Sequence, residues 1–167
     1  YRRGGRGMTI RFAVVPCALG TVLVAGTERG LCAVSLGDGG AALERELRAE
    51  YPAATIEPAG RLGAGDPLAA WVDAVVAPVD VPGTPFQRRV WDALRTIPAG
   101  ETRSYGEVAA AVGAPRAARA VAAACASNRV ALVIPCHRVV REGGALAGYR
   151  WGTERKQRLL DAESAAR

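Results

Sequence analysis

A single histidine, His137, occurs in the 167-residue chain, and it stands directly beside one of four cysteines, Cys136. A thiol attacks well only as its thiolate, and with a free pKa of about 8.5 it is only slightly ionised at neutral pH. A neighbouring imidazole is a side chain suited to take the proton, so Cys136-His137 reads as a nucleophile with its base. Apolar residues 130–134 lead into the pair and Val139-Val140 leads out, which predicts a buried, strand-like setting interrupted at Pro135. Proline cannot donate to a sheet ladder, so a bend is expected there. Adjacent side chains of a strand point to opposite faces. Proton transfer between the two therefore needs either that bend or an intervening water. The competing reading is a small core thiol next to a hydrogen-bonded histidine, and the surroundings have to decide between them.

The other cysteines, Cys17, Cys32 and Cys125, form no CxxC pair and have no second histidine to join them. A zinc site is therefore not expected, nor is a disulfide framework, and reduced core thiols in a cytoplasm fit better. No apolar run is long enough to span a membrane. Charge is uneven. Residues 81–167 carry 14 Arg or Lys against 7 Asp or Glu, residues 9–80 carry 5 against 9, and the first eight residues add three arginines. A basic second half beside an acidic first half points to a polyanion-binding face, with nucleic acid as the natural partner.

Three domains or segments follow from the texture of the chain: a basic, glycine-rich lead over 1–8, an α/β domain over 9–80, and a mostly helical domain over 81–167. Three β-prone runs, 10–15, 21–25 and 31–36, are separated at hairpin-like lengths and predict a small antiparallel meander. Residues 41–51 have helical spacing, with Leu43 and Leu47 on one side; 55–57 adds a short strand, and 67–76 reads as a further helix. Prolines 78, 82 and 85 mark the linker.

Beyond the linker the helix starts are explicit. Thr84-Pro85-Phe86-Gln87 is a capping box with proline at the first helical position, opening a helix to about Thr96 whose apolar face is Phe86, Val90, Trp91 and Leu94. Ser104-Tyr105-Gly106-Glu107 is a second capping box, for a helix ending near Gly113. A third helix runs from about Arg116 to Ala126. Two short helices joined by a glycine-containing turn form a helix-turn-helix candidate. The third helix carries one long charged side chain, Arg119, among alanines. It has almost no donors for reading base edges. A smooth helix of this kind instead permits close approach to a DNA backbone, which favours shape-based binding.

The strings SYGEVAAAVGAPRAARAVAAACASN, IPCHRVV and GYRWGTERKQRLL resemble the O6-alkylguanine-DNA alkyltransferases, densely over about residues 81–164 and more loosely before that. The GYRWG tail and the opening residues are most similar to the carboxy-terminal portion of the bacterial Ada adaptive-response proteins, which implies upstream regulatory domains in a full-length protein. The implied fold is α/β, a ribonuclease H-like sheet domain followed by the helix-turn-helix domain. The implied reaction is a single, irreversible transfer of the alkyl group from O6-methylguanine in double-stranded DNA to Cys136, by a monomer without metal or cofactor. O4-methylthymine is left open as a second substrate.

The resemblance also assigns roles. His137 acts through a water as the base, Glu163 orients His137, and Tyr105 hydrogen-bonds the base and donates a proton to it. Arg119 fills the gap left by the rotated-out nucleotide, offsetting part of an extrusion cost of a few kcal/mol. Ser104, Ala118, Ala120 and Asn128 join Arg119 as DNA-binding positions, Asn128 as the hinge between helix and active-site loop. Tyr149, Val139, Arg150 and Pro135 form the pocket for the base and alkyl group. Two other classes stay open: a non-catalytic alkyltransferase-like damage-binding protein, against which Cys136 argues, and a helix-turn-helix regulator with a structural Cys-His pair.

Overall fold

A computed structural model describes residues 4–61, 66, 68 and 78–166. Of the helix predicted over 67–76, Leu68 alone lies among the described residues, helical and buried. The chain divides into two compact units, one through Pro82 and one from Gly83.

The first unit is built on a meander of β1 (Thr9–Cys17), β2 (Gly20–Thr27) and β3 (Gly30–Gly37). Its hairpins are tighter than the sequence spacing suggested, because Cys17 pairs with Gly20 and Thr27 with Gly30, leaving two-residue turns. The helix α1 (Gly40–Glu50) follows, and then β4 (Thr55–Pro58), which pairs with β1 in parallel to give the order β3-β2-β1-β4. The strand period of two puts Ile10 and Phe12 of β1 into the core with Leu23, Ala25, Ala33 and Ile56, under Leu43 and Leu47 of α1. Tyr51 closes that core and donates its hydroxyl to the Cys32 carbonyl at 3.2 Å. Cys32 is buried as expected, but Cys17 is exposed. It sits in the half of β1 that extends past its pairing with the four-residue β4.

The second unit opens with α2 (Pro85–Arg95). Both hydrogen bonds of its capping box form: the Gln87 amide N–H donates to Thr84 Oγ1, and the Thr84 N–H donates to Gln87 Oε1. Val90, Trp91 and Leu94 are buried, while Phe86 is half-buried beneath the Arg89 guanidinium. Strand β5 (Arg103–Ser104) leads into α3 (Tyr105–Ala111), whose Ser104–Glu107 box is likewise complete. Gly113, at φ +77°, turns the chain toward α4 (Ala118–Ala126). Val108 and Ala109 of α3 and Val121, Ala124 and Cys125 of α4 are buried in the second unit. The helix-turn-helix is thus present.

The run into the Cys-His pair is not a strand. Residues 131–133 form a turn, with Leu132 in the left-handed region at φ +69°, and Pro135 opens a 3₁₀ turn, Cys136–Arg138. The cause is Asn128. Its Oδ1 accepts from the Val130 N–H at 2.9 Å and its Nδ2 donates to the Ile134 carbonyl at 2.9 Å. These bonds satisfy backbone groups that a ladder would otherwise have to satisfy. Strand β6 (Val139–Val140) then pairs in parallel with β5, and α5 (Thr153–Ala165) ends the unit.

Candidate active site

The 3₁₀ turn puts Cys136 and His137 on consecutive positions of a tight coil, both buried, at 4% and 1% exposure. Cys136 forms part of the wall of a cavity of about 550 Å³. Tyr105 of α3, Ala118, Arg119 and Cys125 of α4, and Tyr149 and Arg150 of the loop before α5 also line it. That volume suits a small planar ligand held largely out of water.

Behind the thiol, Nδ2 of Asn128 donates to Cys136 Sγ at 3.3 Å. Burial pushes the Cys136 thiol up, against the Asn128 hydrogen bond and the Lys156 charge, which favour the thiolate. The resting group is therefore the thiol. Nε2 of His137 lies 2.8 Å from Glu163 Oε1. Burial drives the His137 pKa below its ordinary value, opposed by Glu163. Burial alone would raise Glu163, but hydrogen bonds from Arg138 and His137 hold its pKa at about 2. An ionised carboxylate only accepts, so Nε2 of the neutral imidazole carries the proton and Nδ1 keeps its lone pair. That Nδ1 is buried and has no hydrogen-bond partner among the described residues.

Glu163 is itself fixed. Arg138 grips it with Nη2 at 2.8 Å from Oε1 and Nε at 3.0 Å from Oε2, and the Gly100 N–H donates to Oε2 at 3.2 Å. Arg138 also donates to the Ile97 carbonyl at 2.6 Å. On the same face of α5, seven residues before Glu163, Lys156 is 1% exposed and donates to the Val139 carbonyl at 2.6 Å.

The family model for the DNA-binding domain of 6-O-methylguanine DNA methyltransferases matches residues 85–165, and that for its ribonuclease-like domain matches residues 10–59. A methylated-DNA–protein-cysteine methyltransferase of Mycobacterium bovis is 49% identical over 115 residues, covering 66% of this chain and 70% of that protein. The chain belongs to the 6-O-methylguanine DNA methyltransferase family. The crystal structure of Mycobacterium tuberculosis OGT in complex with DNA superposes with a TM-score of 0.71 at 37% identity, covering 93% of each chain. The bifunctional transcriptional activator/DNA repair enzyme Ada of Escherichia coli is 48% identical over 175 residues, 98% of this chain. The chain spans about half the length of that relative, 48%.

Within the second unit, most residues singled out from sequence converge. Tyr105, Ala118, Arg119, Cys136, Tyr149 and Arg150 share one cavity, and His137 and Glu163 meet. Five others, Asn128, Ser104, Val139, Pro135 and Ala120, are not part of that cavity's wall. Asn128 is fully buried, and the Ser104 hydroxyl, 6% exposed as a residue, accepts from the Glu107 N–H and donates to Glu142 Oε1 at 2.8 Å. Both side chains spend their hydrogen bonds within the protein, and those of Asn128 support the thiol and its loop. Val139 and Pro135 are buried and do not line the cavity; the Val139 N–H bonds the Cys136 carbonyl and its own carbonyl takes the Lys156 ammonium. Ala120 is exposed on α4 but is not part of the cavity wall.

Sequence reasoning missed Arg138, Lys156 and Arg141, the last of which also lines the cavity. It also filed Cys125 as a core thiol, although Cys125 is both buried and on the cavity wall. Lys156 did carry a signal. It is the only lysine in the chain and stands two helical turns before Glu163.

Proposed function

We propose that this chain repairs alkylated DNA by taking the alkyl group from O6 of guanine onto Cys136, once per protein molecule. The observation that carries the reading is the unpartnered Nδ1 of a buried neutral His137, held by Glu163, next to a thiol that opens on a base-sized cavity. DNA is the proposed partner, in keeping with the basic second half and with relatives named for methylated DNA.

In this reading the damaged nucleotide is rotated out of the duplex and its base enters the cavity. The Cys136 proton passes to His137 Nδ1 through a water, and Glu163 stabilises the imidazolium that forms. The thiolate then attacks the alkyl carbon, so that the S–C bond forms and the C–O6 bond breaks. The guanine leaves with the electron pair of that bond. Burial pushes the Tyr105 pKa up to about 12, so its phenol stays protonated at neutral pH and serves as the proton donor to the departing base. The product thioether has no route back to a thiol, which makes the protein its own stoichiometric reagent.

Arg119, exposed on α4, takes the vacated place in the base stack, and the small side chains of Ala118 and Ala120 let α4 approach the backbone closely. Tyr149 closes the pocket; its hydroxyl is buried without a partner among the described residues and stands ready for a polar atom of the base.

The experiment is a titration with duplex bearing one O6-methylguanine per molecule. One methyl group transferred per protein, with no further transfer when substrate remains in excess, is the expected result. Repeated turnover, or no transfer, would overturn the reading.

A further inference from the structure

Three arginines line the cavity: Arg119, Arg141 and Arg150. Arg150 lies over the Trp151 ring, 5.9 Å from its centroid, and Arg119 is taken up by the base stack in the repair reading. Arg141 has neither role. It is exposed, and its guanidinium has no hydrogen-bond or carboxylate partner among the described residues.

Its nearest counter-charge in sequence is turned away. The adjacent Glu142 accepts from Ser104 Oγ at 2.8 Å, and its Oε1 lies so close over Gly106 that a Cβ there would come within 2.9 Å. The backbone of Arg141 is fixed as well. Its N–H donates to the Ala145 carbonyl and its carbonyl accepts from the Gly144 N–H, both at 2.9 Å, around glycines 143 and 144 at φ +80° and +87°. A rigid loop therefore holds an unpaired cation at the cavity wall. The Arg141 charge is also felt at Tyr105, where it opposes the effect of burial on the phenol.

We propose that Arg141 is a phosphate clamp: its guanidinium binds the DNA phosphate next to the rotated-out nucleotide and so holds that nucleotide in the cavity. The inference rests on the repair reading above. A guanidinium has five donors and no acceptor, and its planar fork matches two phosphate oxygens. A base entering the cavity brings its own phosphate to the rim, where an exposed arginine on a fixed loop is the fitting partner. Glu142, held by Ser104, keeps its negative charge off that phosphate.

The test compares alkyl transfer from two substrates, duplex DNA bearing one O6-methylguanine and the free base O6-methylguanine, which has no phosphate. The quantity read is the ratio of the duplex rate to the free-base rate. Arg141→Ala should lower that ratio about tenfold, the loss of one charge-assisted phosphate contact. Arg141→Lys should recover part of it, and Arg141→Glu should lower it further. The slope of log affinity for duplex against log salt should fall by about one in Arg141→Ala. A ratio and slope equal to the parent's in all three variants would overturn the clamp while leaving the repair reading intact. Absence of transfer to the parent protein from either substrate would overturn the repair reading, and the clamp with it.

Discussion

The amide of Asn128 reaches the Cys136 sulfur at 3.3 Å while its other contacts hold the loop that carries the thiol. One fully buried side chain thus links the end of α4, the turn at Val130 and the Cys136 thiol. Asn128→Ala would leave the Val130 N–H and Ile134 carbonyl without these partners and remove a hydrogen bond that favours the thiolate. The expected result is a loss of about 3 kcal/mol in urea unfolding, together with a higher pH midpoint for alkylation of Cys136 by iodoacetamide. An unchanged midpoint would separate the loop from the chemistry.

Glu163 and His137 predict how stability responds to acid. Both have folded pKa values below their ordinary ones, so the unfolded chain binds more protons in acid and stability falls as pH falls. For His137 the loss begins as pH drops below its ordinary 6.5. For Glu163 it runs between its ordinary 4.5 and about 2. Urea unfolding across this range should show both steps. Glu163→Gln should flatten the lower one and cost about 2 kcal/mol at neutral pH through the lost charge-assisted bonds. Persistence of the lower step in that variant would assign it to other carboxylates.

Lys156 is a buried cation whose ammonium donates to the Val139 carbonyl, and burial lowers its pKa. Its charge favours ionised Cys136. Lys156→Met keeps most of the volume and removes the charge, so the Cys136 midpoint should move up. Transfer should slow at neutral pH and recover at alkaline pH. A uniform loss at every pH would indicate a packing defect instead.

The Arg119 guanidinium has no partner among the described residues and stands exposed on an alanine-rich helix. Arg119→Ala should slow transfer from duplex about tenfold or more while sparing a single-stranded oligonucleotide, which has no stack to fill. Equal rates for variant and parent on duplex would remove the finger role.

Local features of the fold were legible in the residues. Thr84 with Gln87 and Ser104 with Glu107 start helices where they stand, because a capping box is completed within four residues. The β-prone run over 10–15 lies within β1, whose alternation carries Ile10 and Phe12 into the core. The loop before Cys136 misled because residues 130–134 are apolar enough for a strand, whereas one asparagine side chain decides the backbone path. Val139 and Pro135 were placed in the pocket on resemblance; the Val139 carbonyl is taken by Lys156, seventeen residues away in the chain. The contact between His137 and Glu163 spans 26 positions and was foreseen only through family resemblance. Lys156 escaped because a lysine is ordinarily a surface residue.

The most direct test is the mass of the peptide containing Cys136 after incubation with duplex carrying one O6-methylguanine. The expected result is a gain of one methylene unit on Cys136 and none on Cys17, Cys32 or Cys125, with Cys136→Ala still binding the duplex. A methyl group on another residue, or an unmodified Cys136 beside repaired DNA, would contradict it.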